Sequence, residues 1–212
     1  MSKYKTIISD LGGVYLNRGI WLFWDYLDRE LGIPVEKGKT AFLSYYKEYF
    51  SGKIQEEDFW NKFLGNIDLK TDWKELRIKL LDLFAPNEGV AHLYSQLRTR
   101  GYKLVLLSDQ TNEWWPYLDS KYNISGSFDH LIISSKVGIN KPDPEIYKYA
   151  LKISDSLAEE SIFIDDLENN LIPAKDLGIE TILYTNPENL TKDLVERGVE
   201  GQMGRGKENR FC

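Results

Sequence analysis

The chain reads as an α/β fold: a Rossmann-like parallel sheet with helices on both faces, interrupted early by an inserted α-helical bundle. Three observations predict it. Short apolar runs recur along the chain, each bounded by polar or glycine residues, as strands buried on both faces require. From about Pro86 onward these runs alternate with helical spacing, which is the pattern of a parallel sheet. Between the first run and the second lies a long stretch with helical spacing and no strand.

Lys5-Thr6-Ile7-Ile8-Ser9 is the first strand, and Asp10 stands where it ends. Leu11-Gly12-Gly13-Val14 then turns the backbone. Trp21, Leu22, Trp24, Leu27 and Leu31 mark an amphipathic helix closed by Gly32 and Pro34. Phe42, Tyr45, Tyr46 and Tyr49 mark a second, from about Lys39 to Phe50, broken by Gly52. A short helix follows through Glu57, Phe59, Trp60 and Phe63, and a fourth runs from Trp73 to about Phe84, stopping near Pro86. A helix through Val90, Leu93 and Leu97 ends at Gly101, before the strand Lys103 to Leu107. Trp115 to Tyr122 is helical and leads to the strand His130 to Ser134. A helix from Pro144 to Leu151 leads to the strand Ser161 to Asp165. The last pair is a helix from Leu171 to Leu177, ended by Gly178, and the strand Thr181 to Tyr184. The core is therefore expected over 1–14 and 86–200, the inserted bundle over 15–85, and a polar, glycine-rich, loosely docked tail over 201–212.

A chain of 212 residues can build a large core without staples. Its net charge of -6 argues against nucleic acid as a partner, because phosphate backbones are bound by basic surfaces. No run is apolar and long enough to span a bilayer, and the start leads straight into a strand and not a signal-peptide core. The single cysteine, Cys212, has no intrachain partner, which fits a reducing, cytoplasmic setting. The sequence carries no signal for an oligomeric state.

Ligands of open α/β sheets bind outside the carboxyl ends of the strands. That rule selects Asp10 after the first strand, Ser108 after the second, Lys141 in the loop after the third, and Asp165 with Asp166 after the fourth. This inventory suits phosphoryl transfer assisted by a divalent metal. Asp10 and Asp166 are hard oxygen ligands of the kind Mg²⁺ prefers. Ser108 can donate to a phosphate oxygen, and Lys141 sets a positive charge where oxygens gain charge. Backbone N–H groups at Leu11-Gly12 can face the same oxygens. Adjacent acids such as Asp165 and Asp166 repel unless a cation is near.

With these residues in place the chain resembles the haloacid dehalogenase-like hydrolases, in the branch with a helical cap inserted after the first strand. The matching segments are Ile7-Ile8-Ser9-Asp10-Leu11-Gly12-Gly13-Val14, Leu106-Leu107-Ser108, Lys141-Pro142-Asp143-Pro144 and Phe163-Ile164-Asp165-Asp166 through Asn170. The resemblance implies a Mg²⁺-dependent phosphatase acting on a small phosphorylated metabolite. It implies that Asp10 attacks phosphorus to form an aspartyl-phosphate. It implies metal binding by Asp10, the Gly12 carbonyl and Asp166, with Asp165 and Asn170 orienting that shell and Ser108 and Lys141 holding the phosphate. Two positions depart from the family pattern. Gly12 stands where a second aspartate usually serves as general acid and base, and Asp109 stands where asparagine usually follows the serine. A subset with the Asp-Leu-Gly pattern looks like sugar-phosphate phosphatases, so a sugar phosphate is the expected substrate. A 2-haloacid dehalogenase and a catalytically weak binding protein are the competing readings. The first lacks the second aspartate too, but works without the metal that Asp165-Asp166 suits.

Overall fold

A computed structural model describes residues 2–199; the tail expected over 201–212 lies outside the described residues. Five strands form one parallel sheet: β1 (Thr6–Ser9), β2 (Lys103–Ser108), β3 (His130–Ile133), β4 (Ser161–Asp165) and β5 (Glu180–Leu183), in the order β3-β2-β1-β4-β5. The first strand in sequence is the central one in space. Ile8 is in register with Val105 of β2 on one side and with Phe163 of β4 on the other.

Alternation along the strands divides the interior into two layers. Ile8, Val105, Leu107 and Phe163 face α8 (Pro144–Ile153) and α9 (Glu168–Asp176), packing on Ile146, Tyr147, Ala150, Leu171 and Ala174. Ile7, Leu104, Leu106, Ile162 and Ile164 face the other way, into a cluster that includes Val90, Leu93 and Leu97 of α5 (Glu88–Thr99) and Leu118 of α6 (Trp114–Tyr122). That larger cluster continues without a break into four helices between β1 and α5. These are α1 (Gly19–Leu31), α2 (Val35–Phe50), α3 (Glu56–Ile67) and α4 (Trp73–Asp82). A one-turn helix, α7 (Ser134–Val137), follows β3 directly.

Three elements differ from the sequence expectation. Pro34 does not close α1; it is the N-cap of α2, which begins at Val35. Gly38 lies inside that first turn, and its missing side chain lets Leu27 of α1 pack there: a Cβ would come within 3.0 Å of Leu27 Cδ1. The fourth inserted helix stops at Asp82, two residues early. A further helix, α10 (Pro187–Glu196), follows β5. Only Leu190 and Leu194 of α10 are buried, too few apolar residues to announce an amphipathic stripe. Among the described residues no helix is long and apolar enough to cross a membrane.

Candidate active site

Because β1 is flanked by β2 and β4, the residues ending these three strands meet in one place. Asp10, Asp165 and Asp166 each bring a carboxylate oxygen within 4.8 Å of the others, all three residues being buried. Lys141 enters this group from the loop before α8. Its Nζ lies 2.8 Å from Asp10 Oδ1 and 2.7 Å from Asp165 Oδ2, with almost no solvent exposure. Ser108 completes the group at the end of β2 and lines the same cavity as Asp10, Gly12, Lys141, Asp166 and Asn170. Asp10, Gly12, Ser108, Lys141, Asp166 and Asn170 are thus brought to one cavity, and Asp165 stands beside Asp10 and Lys141 in the supporting place the sequence reading gave it.

Asp165 is fully enclosed and its oxygens are in use. Asn170 Nδ2 donates to both at 3.0 and 3.1 Å, and the Leu167 N–H donates to Oδ1 at 2.9 Å. With Lys141 on Oδ2, this carboxylate holds its neighbours and has little left for a ligand. Asp10 and Asp166 differ. Asp10 Oδ2, Asp166 Oδ1, the Gly12 carbonyl and the Ser108 hydroxyl accept or donate no hydrogen bond among the described residues. The residues that carry these four groups line a single cavity.

Gly13 explains why the turn after Asp10 needs its second glycine. Its φ is +97°, and a Cβ there would stand 2.2 Å from Asp166 Oδ2. Any side chain at position 13 would push the Asp166 carboxylate out of the group. Behind Asp10, Tyr94 donates to Ser9 Oγ at 2.8 Å, and Ser9 donates to the Asp10 carbonyl at 2.7 Å, fixing the backbone that carries the acid.

Two contributors carry no motif. Arg18, just before α1, donates from Nε to Asp166 Oδ2 at 2.7 Å. Asp109 lines the same cavity with both oxygens engaged: its Oδ1 accepts the Lys141 backbone N–H at 3.0 Å, and its Oδ2 accepts the Tyr46 hydroxyl of α2 at 3.3 Å. Asp109, which departs from the family's usual asparagine, spends its oxygens fastening α2 and the Lys141 loop to the end of β2. Arg18 is a lone arginine in a turn, with nothing in its surroundings to single it out.

The electrostatics follow from burial. Taking Asp10, Asp109, Asp165 and Asp166 against Lys141 and Arg18, the ionised site has two negative charges in excess, the charge of one divalent cation. Burial accordingly pushes the Asp10 carboxyl well above the usual range, against the pull of Lys141. Asp166 is raised by burial and by Asp165, with Arg18 opposing. Asp109 is pushed up to about 6, chiefly by burial. Burial works against the Lys141 charge, but Asp10, Asp165 and Asp109 together outweigh it and hold that ammonium above an ordinary lysine. Excess negative charge with open, hard oxygens fits a divalent cation such as Mg²⁺.

The cavity above this floor has a volume of about 330 Å³ and is walled by α1, α2 and Phe84. Trp114 and Trp115, at the start of α6, are buried and absent from it. Trp114 is an anchor: it meets Phe42, Tyr49, Phe50 and Trp60 of the inserted helices edge-on or tilted, and its Nε1 donates to Glu56 at 3.1 Å.

Comparison with known proteins adds to this geometry. Residues 4–178 match the family model of the haloacid dehalogenase-like hydrolases. Bifunctional epoxide hydrolase 2 of Sus scrofa is 42% identical over 220 residues, covering 90% of this chain and 38% of that protein. The glyceraldehyde 3-phosphate phosphatase of Methanocaldococcus jannaschii is 35% identical over 165 residues, covering 74% of this chain and 71% of that one. The chain spans about a fifth of the length of the first rodent relatives it matches. A HAD family enzyme of Bacteroides thetaiotaomicron, solved in complex with magnesium and inorganic phosphate, superposes with a TM-score of 0.64. It is 25% identical, covering 86% of this chain and 95% of that one.

Proposed function

Since this chain belongs to the haloacid dehalogenase-like hydrolases, we propose that it is a Mg²⁺-dependent phosphatase that cleaves a small phosphorylated metabolite through an aspartyl-phosphate on Asp10. The observation that carries this reading is the meeting of the Asp10 and Asp166 carboxylates at one cavity that Gly12, Ser108 and Lys141 also line. The phosphatase name of the archaeal relative, and the magnesium and phosphate bound by the Bacteroides enzyme, support it from outside.

In this reading the Asp10 carboxylate attacks phosphorus, and the bond from phosphorus to the leaving oxygen breaks. Water then cleaves the acyl phosphate, releasing inorganic phosphate and restoring the carboxylate. Ser108 donates to a phosphate oxygen. Lys141 aims Asp10 and pulls it toward the ionised form against its burial, and faces the charge that gathers on the phosphoryl oxygens. Asp165 and Asn170 hold Lys141 and the loop after β4. Asp10, the Gly12 carbonyl and Asp166 would hold Mg²⁺, whose charge offsets the repulsion between an anionic nucleophile and an anionic phosphate. Gly12 offers no proton to the leaving oxygen, so that proton comes from water. Loss of a positioned general acid costs about 10²- to 10⁴-fold in rate, which favours substrates with good leaving groups. Residues 15–85 act as a cap over this centre, and residues 1–14 with 86–200 as the catalytic core. The single cysteine supports a cytoplasmic setting.

The deciding experiment is hydrolysis of an aryl phosphate before and after full chelation of divalent ions. Activity that disappears on chelation and returns with Mg²⁺ is the expected result. Activity that survives chelation would favour a metal-free, dehalogenase-like route. Identical behaviour of native protein and Asp10→Asn would favour a binding role.

A further inference from the structure

The walls of the cavity say more about the leaving group than its floor does. The floor is polar and built for a phosphate, as above. The walls are Trp21 and Trp24 of α1, Phe42 and Leu43 of α2, Phe84, and Leu167 at the start of α9. Trp24, Phe42 and Phe84 are buried and rigidly packed, with Trp24 edge-on to Phe42 at 5.0 Å. Trp21 and Leu43 are about half exposed, at 52% and 54%, although both are large apolar side chains at the edge of a cleft. Large exposed apolar groups gathered at a cavity mark a surface that something apolar covers.

The polar groups on these walls are few, and most are occupied. The Tyr46 hydroxyl is committed to Asp109. Arg18 gives Nε and Nη2 to Asp166, and its guanidinium lies 5.1 Å from the centre of the Trp21 ring. That leaves its Nη1 donors, the Lys39 ammonium, which makes no hydrogen bond or ion pair among the described residues, and the Gln110 amide, whose Oε1 is buried without a partner. A hexose phosphate brings about four hydroxyl groups besides its ester, and each one buried without a partner costs about 1–3 kcal/mol. These few polar groups, most of them donors, do not meet that demand. The apolar walls, to which Ile20 adds, instead reward carbon: one methylene in a fitted apolar pocket discriminates about 10-fold or more. At about 330 Å³ the cavity is near the lower limit for small-molecule sites, roughly 300–1,000 Å³, so the body is compact.

We propose that the leaving group of this enzyme is a compact apolar or aromatic alcohol, not a polyhydroxylated sugar, and that Trp21, Leu43 and Phe42 select it. The proposal rests on the phosphatase reading and replaces its sugar-phosphate expectation. Gln110 and Lys39 leave room for one hydrogen-bonding group on the body, with Lys39 also drawing anions toward the mouth.

The test compares two primary-alcohol esters of matched chemistry, n-hexyl phosphate and glucose 6-phosphate, with Mg²⁺ and the full chain. The expected kcat/KM is at least about 10-fold higher for n-hexyl phosphate. Leu43→Asn, on an exposed position of α2, should narrow that ratio several-fold, mainly through KM. Calorimetry of n-hexylphosphonate binding to Asp10→Asn gives a reading without turnover; a negative heat-capacity change on binding is expected. Faster turnover of glucose 6-phosphate would overturn the substrate class and leave the phosphatase reading standing. Failure of both esters and of a good aryl phosphate would overturn the two together.

Discussion

Two buried carboxylate groups in this molecule invite comparison. One is at the carboxyl end of the sheet, around Asp10; the other is inside the inserted helices, around Glu56. Glu56 is as buried as Asp166, but every direction around it is filled. Oε1 accepts Tyr49 and Trp114, each at 3.1 Å, and Oε2 accepts Arg77 at 2.8 Å. One charge meets one charge, and the result pins α3 and α4 to α6. At Asp10 the count does not close, since four acids face two cations and the oxygens nearest the cavity have no donor. Burial of an acid alone therefore marks nothing; an acid left with open oxygens and surplus charge marks a place prepared for a ligand.

Breaking each group should separate activity from stability. The largest expected effect is Asp10→Asn, which should lower kcat on an aryl phosphate by at least about 10³-fold with the melting temperature retained. If kcat changes less than tenfold, Asp10 is not the nucleophile. Lys141→Met strands Asp10 and Asp165 without their cation, and loss of one partner of a buried pair costs about 3–5 kcal/mol. Denaturant unfolding should show this loss near pH 8 and a smaller one at low pH, where Asp10 takes up a proton.

Asp109→Asn works in the opposite direction. The folded carboxyl is raised to about 6, so between about pH 4 and pH 6 the folded state holds more protons than the unfolded one, and stability falls as pH rises. A rise of about two units is worth on the order of 3 kcal/mol. The variant should be about that much more stable than native protein at pH 8 and equal to it near pH 4, while its Oδ1 still accepts the Lys141 N–H. Equal pH profiles for the two proteins would remove this reading of Asp109. Smallest is Arg77→Met, where the arginine is partly exposed and Glu56 keeps two other donors. It should cost on the order of 2 kcal/mol in unfolding experiments and leave kcat/KM per folded molecule as it was.

The same contrast explains what could be read in the sequence. Strand ends are legible because strands here are short, apolar and closed by a polar residue, so Asp10, Ser108 and Asp165 announce their own places. Lys141 came with its Lys-Pro-Asp-Pro segment. The helical block was legible as helices, but periodicity separates inside from outside and not core from cavity wall. It could not tell Phe42, which faces the substrate space, from Phe59, which does not. Arg18 and Tyr46 were invisible because each acts on a partner far along the chain, Asp166 and Asp109 respectively. Gly13 could be read as a turn residue, yet its closeness to Asp166 depends on β4 lying beside β1. Pro34 misled because the same fixed φ that stops one helix suits the start of the next.

The Arg18 contact has a practical consequence. One guanidinium touches Asp166 on one side and lies on the Trp21 indole on the other. Trp21 is the most solvent-exposed of the six tryptophans, Trp73 is half-buried and the other four are buried, so the Trp21 emission stands apart in wavelength and in access to a soluble quencher. A titration that repositions the Asp166 carboxylate is therefore transmitted to a fluorophore already present, and the protein can be followed optically without any label.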